Sequence, residues 1–157
     1  MRKLIGPAMI VLCLCVFSAP PAQAGIGFGA SLGTGFVHTD DSNRRNPTNV
    51  ELMPFYKLAV VSVDLGILFD LEELNNTSRH YTLRPGARVE IPLVYLRAAA
   101  PLQLNDGFDY GILFGVGHNF SILKLVGIFV EADVHMLKDT GFDAIPVEFR
   151  AGVQFNI

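Results

Sequence analysis

Three residues in the last third of the chain have the types and spacing of a metal or acid–base site. Glu131, Asp133 and His135 alternate along the sequence, so in a β-strand their side chains would point to one face. Two carboxylates and an imidazole on one face could bind a metal ion or exchange protons with a substrate. A protein metal site normally needs three or four convergent ligands, however, and a network of ion pairs uses the same alternation. We therefore predict no metal site here.

A second pair, His118 and Ser121, could supply a base and a nucleophile for the hydrolysis of a lipid. A Ser–His pair without an acid to orient the imidazole is weak evidence for such chemistry. The glycine repeat at residues 25–29 would indicate a phosphate-binding loop only if a helix followed it, and the sequence predicts none there. The sequence thus predicts no catalytic residue and no cofactor, and we expect the protein not to be an enzyme.

The composition limits what kind of protein this is. The chain has 157 residues, which suits one domain, and 50% of them are hydrophobic, too many for a disordered chain. A net charge of −3 without clusters of Lys and Arg argues against nucleic-acid binding. A mean hydropathy of +0.38 with 15 Gly and only 17% charged residues is unusual for a water-soluble protein. These values point to a membrane environment.

The first 24 residues have the pattern of a secretory signal peptide. Arg2 and Lys3 form a basic start, an apolar stretch follows over 4–17, and Ala22 and Ala24 are the small residues that a signal peptidase accepts. The apolar stretch is shorter than the ~20 residues of a membrane-spanning helix. We predict a signal peptide at 1–24 and one domain at 25–157. Both cysteines precede residue 25, so the domain would have no disulfide.

The predicted domain alternates between apolar and polar residues from end to end, which is the pattern of β-strands. Eight segments have this period of two: 26–36, 50–59, 61–72, 81–91, 95–104, 110–120, 126–136 and 147–157. One face of these segments carries no Lys, Arg, Asp or Glu, whereas the other face carries many. The pattern predicts two faces that meet different solvents.

A barrel with alternating strands has two possible orientations. In a water-soluble barrel the apolar face points inward, and in a barrel embedded in a lipid bilayer it points outward. Glycine is frequent on the polar face, which suits a crowded interior better than a solvated surface. The connections at one end are longer and polar (39–49, 73–79, 105–109 and 138–144), and those at the other end are short (59–60, 92–94 and 121–125). Long external loops and short periplasmic turns are typical of outer-membrane barrels. Aromatic residues of the apolar face also form two groups, one near each end: Phe28, Tyr56, Phe120 and Phe155, and Phe36, Phe69, Tyr81 and Tyr110.

The last segment alternates up to the chain end and carries Phe155 two residues before Ile157. With the preceding segments it resembles the small eight-stranded outer-membrane β-barrels, such as the OmpA membrane domain and OmpX. The resemblance implies an all-β fold, an eight-stranded antiparallel up-and-down transmembrane β-barrel in the outer membrane of a Gram-negative cell. It also implies a monomer whose partners are outer-membrane lipids and the barrel assembly machinery. That family usually ends in Phe, so the terminal Ile is a departure.

The charged residues of the polar face would fill the barrel interior. A buried charge needs a partner, so we expect a network of ion pairs that plugs the lumen. Its predicted members are Glu51, Lys57, Asp64, Asp70, Glu72, Arg84, Arg88, Glu90, Arg97, Glu131, Asp133, His135, Glu148 and Arg150. The function predicted is non-enzymatic, with a structural or surface-interaction role in the envelope. The alternatives are an outer-membrane enzyme acting on lipid or peptide, a narrow pore for small solutes, and a soluble barrel with the reverse orientation.

Two features do not fit regular strands. Pro54, Pro85, Pro101 and Pro146 fall inside the predicted segments, where each removes a backbone donor, so we expect bulges or shifted strand ends near them. The turn near Val60 has no Gly, Pro, Asn or Asp, and without it the strand count would fall to seven.

Overall fold

The computed structural model describes residues 24–39, 42–71, 81–104, 108–138 and 144–157. Within these ranges the chain forms nine strand segments in an antiparallel sheet, and it has no helix long and apolar enough to span a membrane. The segments are β1 (Gly25–Thr39), β2 (Ser42–Leu58), β3 (Val61–Asp70), β4 (Tyr81–Glu90), β5 (Tyr95–Ala99), β6 (Leu102–Gln103), β7 (Asp109–Ser121), β8 (Val126–Leu137) and β9 (Ala144–Asn156).

The nine segments make eight barrel strands, because β5 and β6 are two parts of the fifth. Both pair with β4 on one side and with β7 on the other. Ala100 and Pro101 interrupt the strand, and the Pro101 carbonyl still accepts a hydrogen bond from the Gly111 amide at 2.9 Å. The break expected from an in-strand proline therefore occurs at Pro101. Pro54 has a smaller effect, since the β2–β3 pairing skips Met53 and Pro54.

The sheet closes on itself. Each strand pairs with its neighbour in the sequence, and β1 also pairs with β9, from Gly27 opposite Asn156 to Thr39 opposite Ala144. The predicted eight-stranded antiparallel up-and-down barrel is confirmed. We call the end with the short turns at 59–60, 91–94 and 122–125 the inner end, and the opposite end the outer end.

The turn near Val60, which lacks Gly, Pro, Asn and Asp, is present at the inner end. Leu58 pairs with Val61, so only Ala59 and Val60 connect β2 to β3. Ala59 has a φ of 55°, in the left-handed region that a residue with a Cβ rarely adopts. The turn therefore forms without the usual turn residues, at the cost of backbone strain at Ala59.

The predicted external loop at 39–49 is wrong. β1 continues to Thr39 and β2 begins at Ser42, so most of that segment extends the two strands, with Arg45 opposite Phe36. A register shift between Gly33 and Gly35 accommodates one extra residue of β2, since Thr34 lies opposite both Pro47 and Thr48. Pairing with β9 on the other side of β1 stabilises this extension. The other predicted external loops fall mostly outside the described residues, as does the predicted signal peptide.

The burial pattern is the reverse of that in a water-soluble barrel. Ile112, Phe114 and Val130 are among many large apolar side chains that lie exposed on the outer surface. The buried side chains include Arg84, Arg97 and Glu51, each 2% exposed or less. Apolar residues outside and charged residues inside are the arrangement that a lipid solvent requires.

Candidate functional site in the barrel interior

Arg97 of β5 lies at the centre of the barrel interior. Its side chain is fully buried and contacts carboxylates from three other strands. Its Nη2 lies 2.9 Å from Glu51 Oε1 and 2.8 Å from Asp64 Oδ1, and its Nη1 lies 3.1 Å from Glu131 Oε1. One planar guanidinium with five donors can bind several carboxylates in this way, whereas a lysine ammonium could not match the geometry.

Arg88 of β4 contacts both carboxylates and aromatic rings. Its Nε lies 3.3 Å from Asp64 Oδ2, and its Nη2 lies 3.9 Å from Glu131 Oε2. The guanidinium carbon also lies 5.0 Å from the centre of the Tyr95 ring and 5.5 Å from that of Phe129. Both distances fall within the range of cation–π attraction. Arg88 therefore shares its charge between two carboxylates and two aromatic rings.

Arg150 and Arg84 extend the network toward the outer end. The Nε of Arg150 lies 2.9 Å from Asp133 Oδ2, and its other nitrogens contact Glu51 and Glu148. Arg84 Nη1 lies 3.0 Å from Glu148 Oε2. Side-chain amides of Asn49 and Asn46 donate to the other oxygen of Glu148 at 3.2 and 3.3 Å.

These contacts define the central network: Glu51, Asp64, Arg84, Arg88, Arg97, Glu131, Asp133, Glu148 and Arg150. Each of its four arginines lies within 4.0 Å of at least one carboxylate, and every member is nearly fully buried. Charges removed from water to this degree depend on one another, and removing one partner of such a pair typically costs about 3–5 kcal/mol.

An apolar layer lies between the central network and the inner end. It consists of three side chains that are 2% exposed or less: Met53, Tyr95 and Phe129. Each lies two positions along its strand from a network residue, Glu51, Arg97 and Glu131 respectively, and so on the same strand face. Gly117 and Gly152 make room for the rings, since a Cβ at either position would overlap Tyr95 or Phe129 respectively. The glycines of the polar face therefore allow large side chains to cross the interior.

A small polar cavity of about 90 Å³ lies on the outer side of the network. Its lining includes Asn49, Thr82, Arg84, His135 and Glu148. A buried water needs a polar site with roughly 10–15 Å³ of accessible volume, so this cavity has room for a few waters. The interior is thus polar on the outer side of the central network and apolar in the layer directly on its inner side.

The structure separates some predicted members from the central network. Lys57 and Glu90 form an ion pair of their own near the inner end, where about a third of each side chain is exposed. His135 and Asp70 line the outer cavity, and Glu72 lies outside the described residues. Among the described residues no group of three or more His, Cys, Asp or Glu side chains is placed to hold a metal ion.

His118 and Ser121 do not form a catalytic pair in the structure. The imidazole faces outward, contacts the Leu93 backbone carbonyl through Nδ1, and lies edge-to-face against Phe120 with ring centres 4.3 Å apart. These contacts connect the turn at 91–94 to β7. They explain the histidine as a structural residue at the inner end.

Sequence reasoning did not predict the roles of Asn49, Met53, Tyr95 and Phe129. Met53, Tyr95 and Phe129 lie on the polar face of their segments, and a large apolar residue at such a position was the available signal. Asn49 lay inside a segment that the sequence assigned to a loop. Asn49 reaches Glu148 because β2 extends through it.

No family model matches the chain, and no curated protein matches it. Solved structures with the same fold do exist. The N-terminal β-barrel domain of Pseudomonas aeruginosa OprF matches with a TM-score of 0.62 at 14% identity, and Neisserial surface protein A (NspA) with 0.59 at 14%. Ail, the attachment invasion locus protein of Yersinia pestis, matches with 0.57 at 13%. Each match covers 87% of this chain and 99% of the other. The chain therefore has the fold of the small eight-stranded outer-membrane β-barrels.

Proposed function

We propose that this protein is a non-enzymatic integral β-barrel of the outer membrane of a Gram-negative cell, with a structural or surface-interaction role and a closed lumen. The observation that carries the proposal is the inverted burial, in which Arg97 is fully buried among three carboxylates while Ile112 and Val130 are about half exposed. Water would solvate the arginine and exclude the apolar side chains, so this arrangement is favourable only in lipid.

The extent of the apolar outer surface supports the membrane location. Exposed Leu32, Val63, Leu96, Phe114 and Phe149 belong to five different strands, so the apolar surface extends around the barrel. Monomeric water-soluble proteins rarely expose apolar patches larger than a few hundred Å². The signal peptide predicted at 1–24 would export the chain, after which lipids and the barrel assembly machinery are its expected partners and a monomer its expected state.

The interior supports a closed lumen. The central network occupies the middle of the barrel, and Met53, Tyr95 and Phe129 lie between it and the inner end. An eight-stranded barrel is only wide enough for side chains to fill it. An ion that enters the outer cavity would meet paired arginines and then the layer of Met53, Tyr95 and Phe129, and both oppose its passage to the inner end.

The names of two structural neighbours favour a surface role. NspA is called a surface protein and Ail an attachment invasion locus protein. In this chain, β1 and β2 extend at the outer end as far as Thr39 and Ser42. An extended outer end combined with a filled interior suits contact with the surroundings better than transport.

Two measurements test the proposal. The purified protein should migrate faster on gels before heating than after it, and should be extracted from cells only with detergent, because the barrel is stable in detergent and embedded in lipid. In planar bilayers it should conduct poorly. A chain recovered in the soluble fraction would contradict the membrane location. A stable open channel would contradict the closed lumen and favour the narrow pore, and lipid or peptide hydrolysis by the pure protein would favour the enzyme.

A further inference from the structure

An apolar groove crosses the outer surface of the barrel. It has a volume of about 640 Å³ and runs across β1, β9, β8 and β7. Thr34 pairs with Phe149, Phe149 with Ala132, and Ala132 with Val116, so these four side chains form one row across four strands. Strands lie about 4.8 Å apart, so the row is roughly 14 Å long. The groove is a depression because the small side chains of Thr34, Ala132 and the adjacent Ala151 lie between bulkier neighbours.

The two ends of the groove differ in chemistry. At the outer end Thr48 lines the groove, and the guanidinium of Arg45 donates to Thr48 Oγ1 at 3.0 Å. Arg45 is opposite Phe36, which faces outward and packs against Phe149 of the groove with ring centres 6.4 Å apart. Residues directly opposite on neighbouring strands share a face, so Arg45 lies on the lipid side. The inner end is lined by Val94 and His118 and carries no arginine or lysine.

Shape and charge together indicate an occupant. Lipid tails are as apolar as the barrel surface, so an acyl chain gains nothing from the hydrophobic effect when it leaves bulk lipid for the groove. It does gain dispersion contacts, because a groove surrounds a chain with more atoms than a convex surface does. Phe36 places Arg45 at the depth of the outer aromatic girdle, where headgroups begin. An arginine there binds phosphate oxygens in pairs.

We propose that this groove binds one molecule of lipid A, the phosphorylated glycolipid of the outer leaflet, with an acyl chain along the groove and a phosphate against Arg45. The inference rests on the proposed function, because only an outer-membrane location with the outer end outside the cell puts Arg45 in the outer leaflet. Lipid A, not a phospholipid, is the lipid with phosphate in that leaflet.

The test is native mass spectrometry of the detergent-purified protein titrated with lipid A, dephosphorylated lipid A or phosphatidylglycerol. The wild type should retain one lipid A and bind dephosphorylated lipid A about fivefold more weakly, since only the Arg45 contact is lost, and phosphatidylglycerol at least fivefold more weakly. Arg45→Gln should weaken lipid A binding about fivefold, since a basic residue near an anionic lipid surface contributes on the order of 1 kcal/mol. Ala132→Phe should abolish retention by filling the groove.

The chain offers a control for each variant. Lys138 is a second outer-end cation, with its Nζ 5.2 Å from the Tyr110 ring, but it does not line the groove. Ala98 is an outward-facing alanine on β5, outside the groove. Lys138→Gln and Ala98→Phe should leave lipid A binding unchanged. Both phenylalanine variants face lipid, so both should keep their heat-modifiable migration.

Three results would overturn the site: equal binding of phosphatidylglycerol, equal binding by Arg45→Gln, or lipid A retained by Ala132→Phe. Heat-modifiable migration and labelling of the outer end in intact cells report the proposed function independently of lipid. A barrel that passes those two assays but loses lipid A in the spectrometer refutes the groove site alone. A chain that fails them refutes the proposed function as well.

Discussion

Replacing Arg97 by leucine should strongly destabilise the barrel. The variant leaves Glu51, Asp64 and Glu131 without the guanidinium that contacts all three. Glu51 keeps Arg150, and Asp64 keeps Arg88 at 3.3 Å, whereas the arginine that Glu131 keeps among the described residues is Arg88, at the longer distance of 3.9 Å. Because one carboxylate loses its close partner inside the barrel, we expect a loss of about 3–5 kcal/mol in the free energy of unfolding.

Urea unfolding in detergent micelles measures this effect. With a urea dependence of about 2 kcal/mol per molar, the midpoint of Arg97→Leu should fall by about 2 M. Lys57→Met is the matched control, because the Lys57–Glu90 pair is about one-third exposed and such pairs contribute on the order of 1 kcal/mol or less. Equal midpoints for the two variants would refute the view that the central network is a set of mutually dependent buried charges.

Three further predictions concern the surface, a turn and the orientation. Val130→Arg should impair insertion, because an arginine on the lipid face at the bilayer midplane costs ~2–4 kcal/mol. A normal yield of folded Val130→Arg would reverse the assignment of the inner and outer faces of the barrel wall. Ala59→Gly should stabilise the barrel by about 0.5–1 kcal/mol, since glycine adopts a φ of 55° without strain. A urea midpoint below that of the wild type would exclude strain at this turn. An epitope tag between Asp40 and Asp41 should be labelled in intact cells and one at Leu123 should not, whereas labelling at Leu123 alone would invert the topology.

The sequence could predict the barrel because its main signal is local. A period of two shows which side chains share a face, and the absence of charge from one face shows which solvent it meets. The extension of β1 and β2 could not be predicted in this way. Asn43, Arg44 and Arg45 are poor strand formers, and they are held in the sheet by pairing with β1, which β9 supports from its other side.

The members of the central network were predictable, but their partners were not. Arg97 meets Glu51 and Asp64 across the interior, from strands that are not its neighbours in the sheet. Which charges share a height depends on the stagger of all eight strands, and no local pattern encodes that stagger. The same reason explains Tyr95 and Phe129, whose rings reach Arg88 only because glycines on adjacent strands leave space for them.

The seam between β1 and β9 has a consequence for how the molecule is made. Its residues are on the order of a hundred positions apart in the chain, and closing so long a segment carries an entropic cost before any contact repays it. Until the seam forms, the sheet has two edges of unpaired amides and carbonyls, which lipid cannot solvate. A sheet that lacks the last strand would expose both of these edges to lipid unless another protein covered them. The pairing of the first strand with the last is therefore the step that removes both edges at once.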